Sequence, residues 1–462
     1  MNLKKVTLGL MTALLLVLSF VAPFVNAEEV DTNTALSQHV EMGQTPKNII
    51  LLIPDGMGTN DMMAYRQYKN GGFAPILPNT VMDDYLVGMM MTSADADLEA
   101  GESTVTDSAA AGTAMASGEK TYSGAIGMLR DGSNVESASE VAKAQGKSVG
   151  IIATSDVFHA TPAAFHSHVP SRKNYDEMLE NMVAALEAGE ELPFDMLLGG
   201  GQSIFAEVTD LFEEAGYDYV ETKEELVNSE SDMVLGLFAE GAMPYHWDTV
   251  EATMPTIVDM TQAAIDKLSR NENGFFLMVE ASQIDWANHA HDITGMISDM
   301  EAYEQAFEAA INFAKEDGET LVISGADHET GGFTISSGDT QQFLIDPVFN
   351  MKHTPSLIAQ LAVEAEDAAA VVEESTGIKL TMSETIAIED GKVNGNAYDV
   401  VFGLLIDKLN AATNSGWSTS EHTGGEVAFY AYGPGYENFI GLIDNTDVGL
   451  YMKSVFNGVD AE

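Results

Sequence analysis

The chain of 462 residues has no cysteine, which excludes disulfide staples and thiolate chemistry and leaves stability to core burial and bound metal. Basic residues are scarce: 20 Lys and Arg face 72 Asp and Glu, a formal charge of −52. A surface of that sign excludes nucleic acid binding, or anionic lipid binding, through the bulk surface. Arginine is scarcest, confined to Arg66, Arg130, Arg172 and Arg270. A site that handles an anion must therefore draw on one of these or on metal ions. Beyond the first 27 residues no apolar run is long enough to cross a bilayer. What is plentiful is hydrophobic residue, 45% of the chain, enough to bury a substantial core and to exclude a wholly disordered protein.

Lys4 and Lys5 precede an apolar run, Val6 to Val25, that ends on the small-residue pattern Val25-Asn26-Ala27. This pattern predicts a secretory signal peptide over residues 1–27; a single membrane anchor is the alternative, disfavoured by Pro23 and the cleavage pattern. Cleavage removes two Lys and no acid, taking the formal charge from −52 to −54, and leaves an exported chain, periplasmic or extracellular, with no stable membrane span. Acid spread through helices and loops keeps a folded surface hydrated where salt screens its self-repulsion. The expectation is salt adaptation, with an acidic secreted protein of no such history as the alternative.

Short apolar runs alternate with helical patterns. Strands are predicted at Asn48–Ile53, Ser148–Ala153, Asp195–Leu198, Met233–Phe238, Phe275–Val279, Thr320–Ser324 and Val427–Tyr432, and helices at Thr256–Leu268 and Ile297–Ala314. The alternation predicts an α/β fold, a three-layer sandwich with a mainly parallel central sheet flanked by helices. Residues of about 334–420 break it with a helical run, Pro355–Glu374, a strand-like piece, Ile378–Met382, and a helix, Tyr398–Ala411. They read as a cap-like insertion in a domain spanning 28–462, a separately folding domain being the alternative.

Three acids follow apolar runs directly: Asp55, Glu280 and Asp327. At the carboxyl ends of strands they would converge on the crevice where α/β sheets bind ligands. Asp285 and His289, four apart, share a face if Ile284–Ala290 is helical and can hold one metal. Asp327 and His328 can turn toward a second ion, and His422 can complete the first set. Pairs of nitrogen and carboxylate suit zinc, while Asp55, Glu280 and Thr161 offer oxygen alone, which suits magnesium. His39, His246 and His353 read as ordinary surface or hydrogen-bonded residues. Ser108 opens an Ala-rich helix whose free N–H groups favour phosphate. By itself it reads as an N-cap; beside a metal its hydroxyl becomes a nucleophile. Arg172 can grip two phosphate oxygens at once.

In family order, the stretches Ile53-Pro-Asp-Gly-Met-Gly58, Thr106-Asp-Ser-Ala-Ala110, His159-Ala-Thr-Pro-Ala163, Glu280-Ala-Ser-Gln-Ile-Asp285 with His289, Ala326-Asp-His-Glu-Thr-Gly-Gly332 and Glu421-His-Thr-Gly424 resemble the bacterial alkaline phosphatases. The resemblance spans about Lys47 to Val455, and the late stretch from Gly416 to Pro434 is similar to the secreted branch with a long insertion before the last histidine. It implies a phosphate monoester hydrolase active at alkaline pH. Ser108 would be the nucleophile that becomes a phosphoserine. Asp285, His289 and His422 would hold one zinc, Asp55, Asp327 and His328 the other, and Asp55, Thr161 and Glu280 a magnesium. Arg172 would clamp the phosphate and Asp107 would orient it. Relatives are often dimers, so a homodimer stays open. Where some members carry Asp and Lys, this chain has His159 and Trp286, which implies weaker magnesium binding and competition from zinc at the third site. A sulfatase is excluded because Asp107-Ser-Ala-Ala110 lacks the Pro and Arg its modified residue needs. A phosphodiesterase of the same superfamily remains the alternative. A non-catalytic ion binder would have no use for Ser108.

Overall fold

The structure, a computed structural model, describes residues 43–72, 80–337 and 341–458. The expected signal peptide and His39 lie outside them. Fourteen strands are named in chain order: β1 (Asn48–Ile53), β2 (Leu86–Met91), β3 (Ser148–Asp156), β4 (Met196–Gly200), β5 (Asp218–Val220), β6 (Val234–Leu237), β7 (Phe275–Glu280), β8 (Thr320–Gly325), β9 (Glu329–Thr330), β10 (Phe333–Ile335), β11 (Ser415–Trp417), β12 (His422–Thr423), β13 (Val427–Tyr432) and β14 (Gly441–Asp444). Ten form one sheet in the order β14-β2-β13-β8-β1-β7-β3-β4-β6-β5. Within it only β13 runs against its neighbours. The short Ile, Leu, Val, Phe and Met runs are strands covered on both faces, as parallel strands must be. Every residue of β1 is buried, Ile49 to Ile53 fully. Each such side chain contributes roughly 1.5–3 kcal/mol.

The helices that concern the site are α1 (Thr59–Lys69), α2 (Ser108–Ser117), α3 (Ala160–Ala163), α4 (Ile257–Leu268), α5 (Gln283–His289), α6 (Ile293–Asp317), α7 (Pro355–Glu364), α8 (Ala368–Thr376), α9 (Met382–Asn394), α10 (Ala397–Thr413) and α11 (Asn445–Phe456). Helix α6 packs with α4 and β8, and α11 packs with α2, completing the three-layer α/β sandwich. Helix α6 is longer than its periodicity indicates. Asp292 caps its start by accepting from Thr294 N–H, and Gly318 ends it in the left-handed region.

The sheet's order decides where the site lies. Strands β8, β1, β7 and β3 are consecutive neighbours, and Ile53, Glu280 and Ala153 are in register. The acids that follow these strands therefore emerge side by side. Two small antiparallel pairs then bring a distant stretch to the same place. Phe333 of β10 faces Trp417 of β11, and Thr330 of β9 faces His422 of β12.

Between β10 and β11 the chain runs through α7 to α10, which form an apolar cluster of their own around Ile358, Val372, Ile388, Val401 and Leu405. One expectation fails here and one is refined. Ile378–Met382 is not a strand: Ile378–Thr381 is the loop into helix α9, which Met382 opens and Thr381 caps through Glu384 N–H in a capping box. Thr381 and Glu384 are the signal that the hydrophobic spacing masks. The run Pro355–Glu374 is two helices, interrupted before Asp367, whose side chain caps α8. Strands β2, β5 and β14 went unforeseen because they are short or carry exposed apolar residues such as Leu86 and Leu442. No helix among the described residues is long and apolar enough to cross a membrane.

Candidate active site

Asp55 leaves β1 two residues after its end, in a turn that needs Gly56. Gly56 has φ +74, and a Cβ there would lie 2.7 Å from the Asp285 Cα. A side chain would push apart the two segments that carry Asp55 and Asp285. Gly56 N–H donates to Asp327 Oδ1 (3.2 Å), tying the turn to the end of β8.

Ser108 is the first residue of α2 and is 1% exposed. It is not the cap. That position belongs to Asp107, which accepts from Ala110 N–H and leaves the serine hydroxyl free for another partner. Ser108 Oγ lies 3.1 Å from His328 Nε2. Asp107 uses its other oxygen to accept from Arg172 Nη1 (3.1 Å), while Arg172 Nη2 donates to His159 Nε2 (3.1 Å). The edge of the His159 ring meets Trp286, with centroids 5.4 Å apart.

Three groups of side chains present ligand atoms within 4.8 Å of one another: Asp285 with His289 and His422, Asp55 with Asp327 and His328, and Asp55 with His159 and Glu280. His246 and His353 enter none of them. Thr161 Oγ1, on α3, is buried without a hydrogen-bond partner.

The donors themselves test whether cations fit. Both oxygens of Asp55, Asp327 Oδ2 and Glu280 Oε1 are likewise buried and unpartnered, which is costly unless something positive stands among them. Burial raises Asp55 well above the usual carboxylate range, and Asp327, Asp285 and Glu280 add like charge. Burial also pushes Glu280 up to about 8 and holds His328 down to about 4. Asp285 is different: burial acts upward, but the hydrogen bond to His289 and the nearby His328 and His422 pull it below its ordinary value.

The outer histidines carry a second clue. His289 Nδ1 donates to Ser420 O (2.6 Å) and His422 Nδ1 to Thr106 O (2.8 Å). In neutral rings both Nε2 atoms are then lone-pair acceptors, yet they face each other at 3.1 Å and also face Asp285. Burial opposes charge on His289, but the Asp285 hydrogen bond raises it to about 9, so a proton holds the place among these acceptors that a metal ion would take.

Sequence reading brought out every side chain in these groups, and the fold brings them together. It missed their supports. Thr330 Oγ1 donates to Asp285 Oδ1. Asp61 Oδ2 accepts from Gly58 N–H and Asn288 Nδ2, fastening the turn after β1 to α5. Asn288 sits beside His289 in sequence, but nothing local announces its partner 227 positions away. A cavity of about 800 Å³ lined by Lys143, Glu187, Asp195 and Tyr217 lies at the amino ends of β3 and β4, away from the carboxyl ends that carry this chemistry.

The alkaline phosphatase family model matches residues 46–457. The chain belongs to the alkaline phosphatase family. It is 43% identical to alkaline phosphatase 4 of Bacillus subtilis over 92% of its own length and 91% of that protein's. It is 32% identical to alkaline phosphatase of Escherichia coli over 88% of this chain and 85% of that one. Among solved structures, a cold-active alkaline phosphatase from a Shewanella psychrophile superposes with a TM-score of 0.81 at 34% identity, covering 88% of this chain and 99% of that chain. This alkaline phosphatase is thus a member of a metal-dependent family of phosphoric monoester hydrolases, with candidate metal-binding groups at the carboxyl ends of its central strands.

Proposed function

We propose that the protein hydrolyses phosphate monoesters at alkaline pH through a phosphoserine on Ser108, releasing inorganic phosphate from organic phosphates outside the cytoplasm, after removal of residues 1–27 as a signal peptide. The observation that carries this reading is the convergence on Ser108 Oγ of His328, with Asp55 and Asp327 behind it, beside an Arg172 held by Asp107. Zinc would be held by Asp55, Asp327 and His328 and by Asp285, His289 and His422, and magnesium by Asp55, Thr161 and Glu280. When bound, these ions supply positive charge at the entering and leaving oxygens and lower the pKa of the serine hydroxyl.

Ser108 Oγ attacks phosphorus as the ester oxygen departs, and water then displaces the serine to release inorganic phosphate. Arg172 offers two N–H groups to the equatorial oxygens, and its tether to Asp107 holds the guanidinium plane. The first turn of α2 adds backbone N–H groups beside Ser108. His159, aimed at the third group, substitutes nitrogen for a carboxylate and weakens magnesium there. Residues of about 334–420 act as a cap, and the acidic surface serves a saline surrounding.

The test is hydrolysis of an aryl phosphate monoester and a bis-aryl phosphate by mature protein, with and without chelator and across salt. Expected are monoester turnover lost to chelation and restored by zinc with magnesium, a slower diester, and a rate that rises when magnesium is returned to depleted protein. Zinc-loaded, folded protein that turns over no monoester would overturn the reading, and a faster diester would favour the phosphodiesterase.

A further inference from the structure

His291 stands two residues beyond His289 with φ +58, in the left-handed region that side chains other than glycine seldom occupy. Such a residue is strained unless its surroundings hold it. Four contacts do. Its N–H donates to Asn288 O (3.1 Å), its carbonyl accepts from Asn410 Nδ2 (3.0 Å), its Nε2 faces Thr419 O (2.8 Å), and its ring stacks on Trp417 at 5.1 Å and 12°. Asn410 closes the circuit by accepting from Trp417 Nε1 (3.0 Å).

Three chain segments meet there: the turn after α5, the last part of α10, and the stretch that leads from β11 to His422. The next residue along that stretch, Ser420, supplies the carbonyl that orients His289. The two outer histidines are thus held by a segment whose position is fixed from α10, while Asp55, Asp327 and His328 take their positions from strand ends and meet that segment through the His328 ring, which stacks on His422 with centroids 3.6 Å apart.

We propose that Asn410, Trp417 and His291 are positioning residues, a clamp through which the helical segment α7 to α10 sets the zinc affinity of the Asp285, His289 and His422 group, with a smaller effect on the other group. This rests on the zinc reading above. The clamp reaches the metal by fixing Ser420 O and the backbone that carries both rings, so that each Nε2 is already aimed before an ion arrives.

The test is zinc binding to metal-free full-length protein, in competition with a chromogenic chelator, alongside thermal unfolding of the same metal-free protein. His422→Ala identifies which phase of binding belongs to the outer group. Asn410→Ala is expected to weaken that phase about 10- to 100-fold, weaken the other by less, and shift the unfolding midpoint of the metal-free protein by less than about 2 °C. His291→Gly keeps the left-handed turn without strain but deletes the ring, and is expected to weaken the same phase. Phases unchanged in both variants would overturn the proposal, as would equal weakening of both phases with a lower unfolding midpoint. If the parent protein binds no zinc in this assay, the zinc reading falls first and the clamp with it.

Discussion

The two candidate zinc groups use the same residue types on different scaffolds. Asp55, Asp327 and His328 are all 0% exposed and come from the ends of β1 and β8, which are hydrogen-bonded neighbours. In the outer group Asp285 is buried, but the His289 and His422 side chains are 33% and 13% exposed. They come from a short helix and from a strand 133 residues later. The inner group inherits its geometry from a sheet that would exist without it. The outer group has to be assembled by two-residue pairings, carbonyl acceptors and the Trp417 stack, and each of these can be loosened separately. Burial accordingly separates a rigid, dry half of the site from an adjustable, wetter half.

The largest effect ignores that division and so calibrates it. Ser108→Ala is expected to cost at least about 10³-fold in turnover while zinc content stays at the parent level, because the hydroxyl adds one contact to His328 (3.1 Å) in a group already positioned by the ends of β1 and β8. Metal analysis beside the rate measurement checks this; loss of zinc together with activity would mean that Ser108 holds the inner group in place.

Next comes the contrast between Asp327→Ala and His422→Ala. Asp327 also receives the Gly56 N–H, so its loss should disturb the turn that carries Asp55, abolish tight binding at the inner group and lower the unfolding midpoint. His422→Ala should cost about 10- to 100-fold in outer zinc affinity with little change in the midpoint. Equal destabilisation by the two would erase the distinction between rigid and adjustable halves.

A smaller effect is kinetic. On addition of chelator, zinc should leave in two phases, the outer ion first, because only its ligands reach solvent. Release in one phase, followed by absorbance of a metal indicator, would show that exposure does not govern exchange.

The smallest effect concerns His168, whose partner is a carboxylate outside the candidate metal groups. Burial works against its charge, but the hydrogen bond to Glu140 (2.9 Å) raises its pKa above the ordinary value, the opposite of His328, which burial holds down to about 4. Because the folded pKa is raised, the stabilisation is fully present below the unfolded value of about 6.5 and fades as pH rises through the folded one. His168→Gln is therefore expected to cost at most about 1 kcal/mol near pH 5.5 and less near pH 9, read from denaturant unfolding. A penalty that grows with pH would contradict the pairing.

Much of this protein could be read locally. Apolar runs too short for helices read as buried strands of a mainly parallel sheet, in which only β13 runs against its neighbours, and an acid directly after such a run sits at a strand's carboxyl end. Asp285 and His289 share a face because a helix turns in 3.6 residues. Helix α9 is legible too, in the Thr381 and Glu384 capping box, a cap signal that the apolar spacing around it hides. What no local pattern could supply is adjacency. Sequence does not say that β1 lies between β7 and β8, that Thr330 reaches Asp285, that Asp61 meets Asn288, or that Trp417 lies flat on His291. Those pairings join segments tens to hundreds of residues apart, and they are selected by how the whole sheet and the α7 to α10 segment pack. The sequence by itself determined the ligand types and the faces they occupy, because backbone periodicity and burial act within a few residues. The tertiary structure decided which ligands share an ion and how tightly each ring is aimed, because hydrogen bonds and packing act through space.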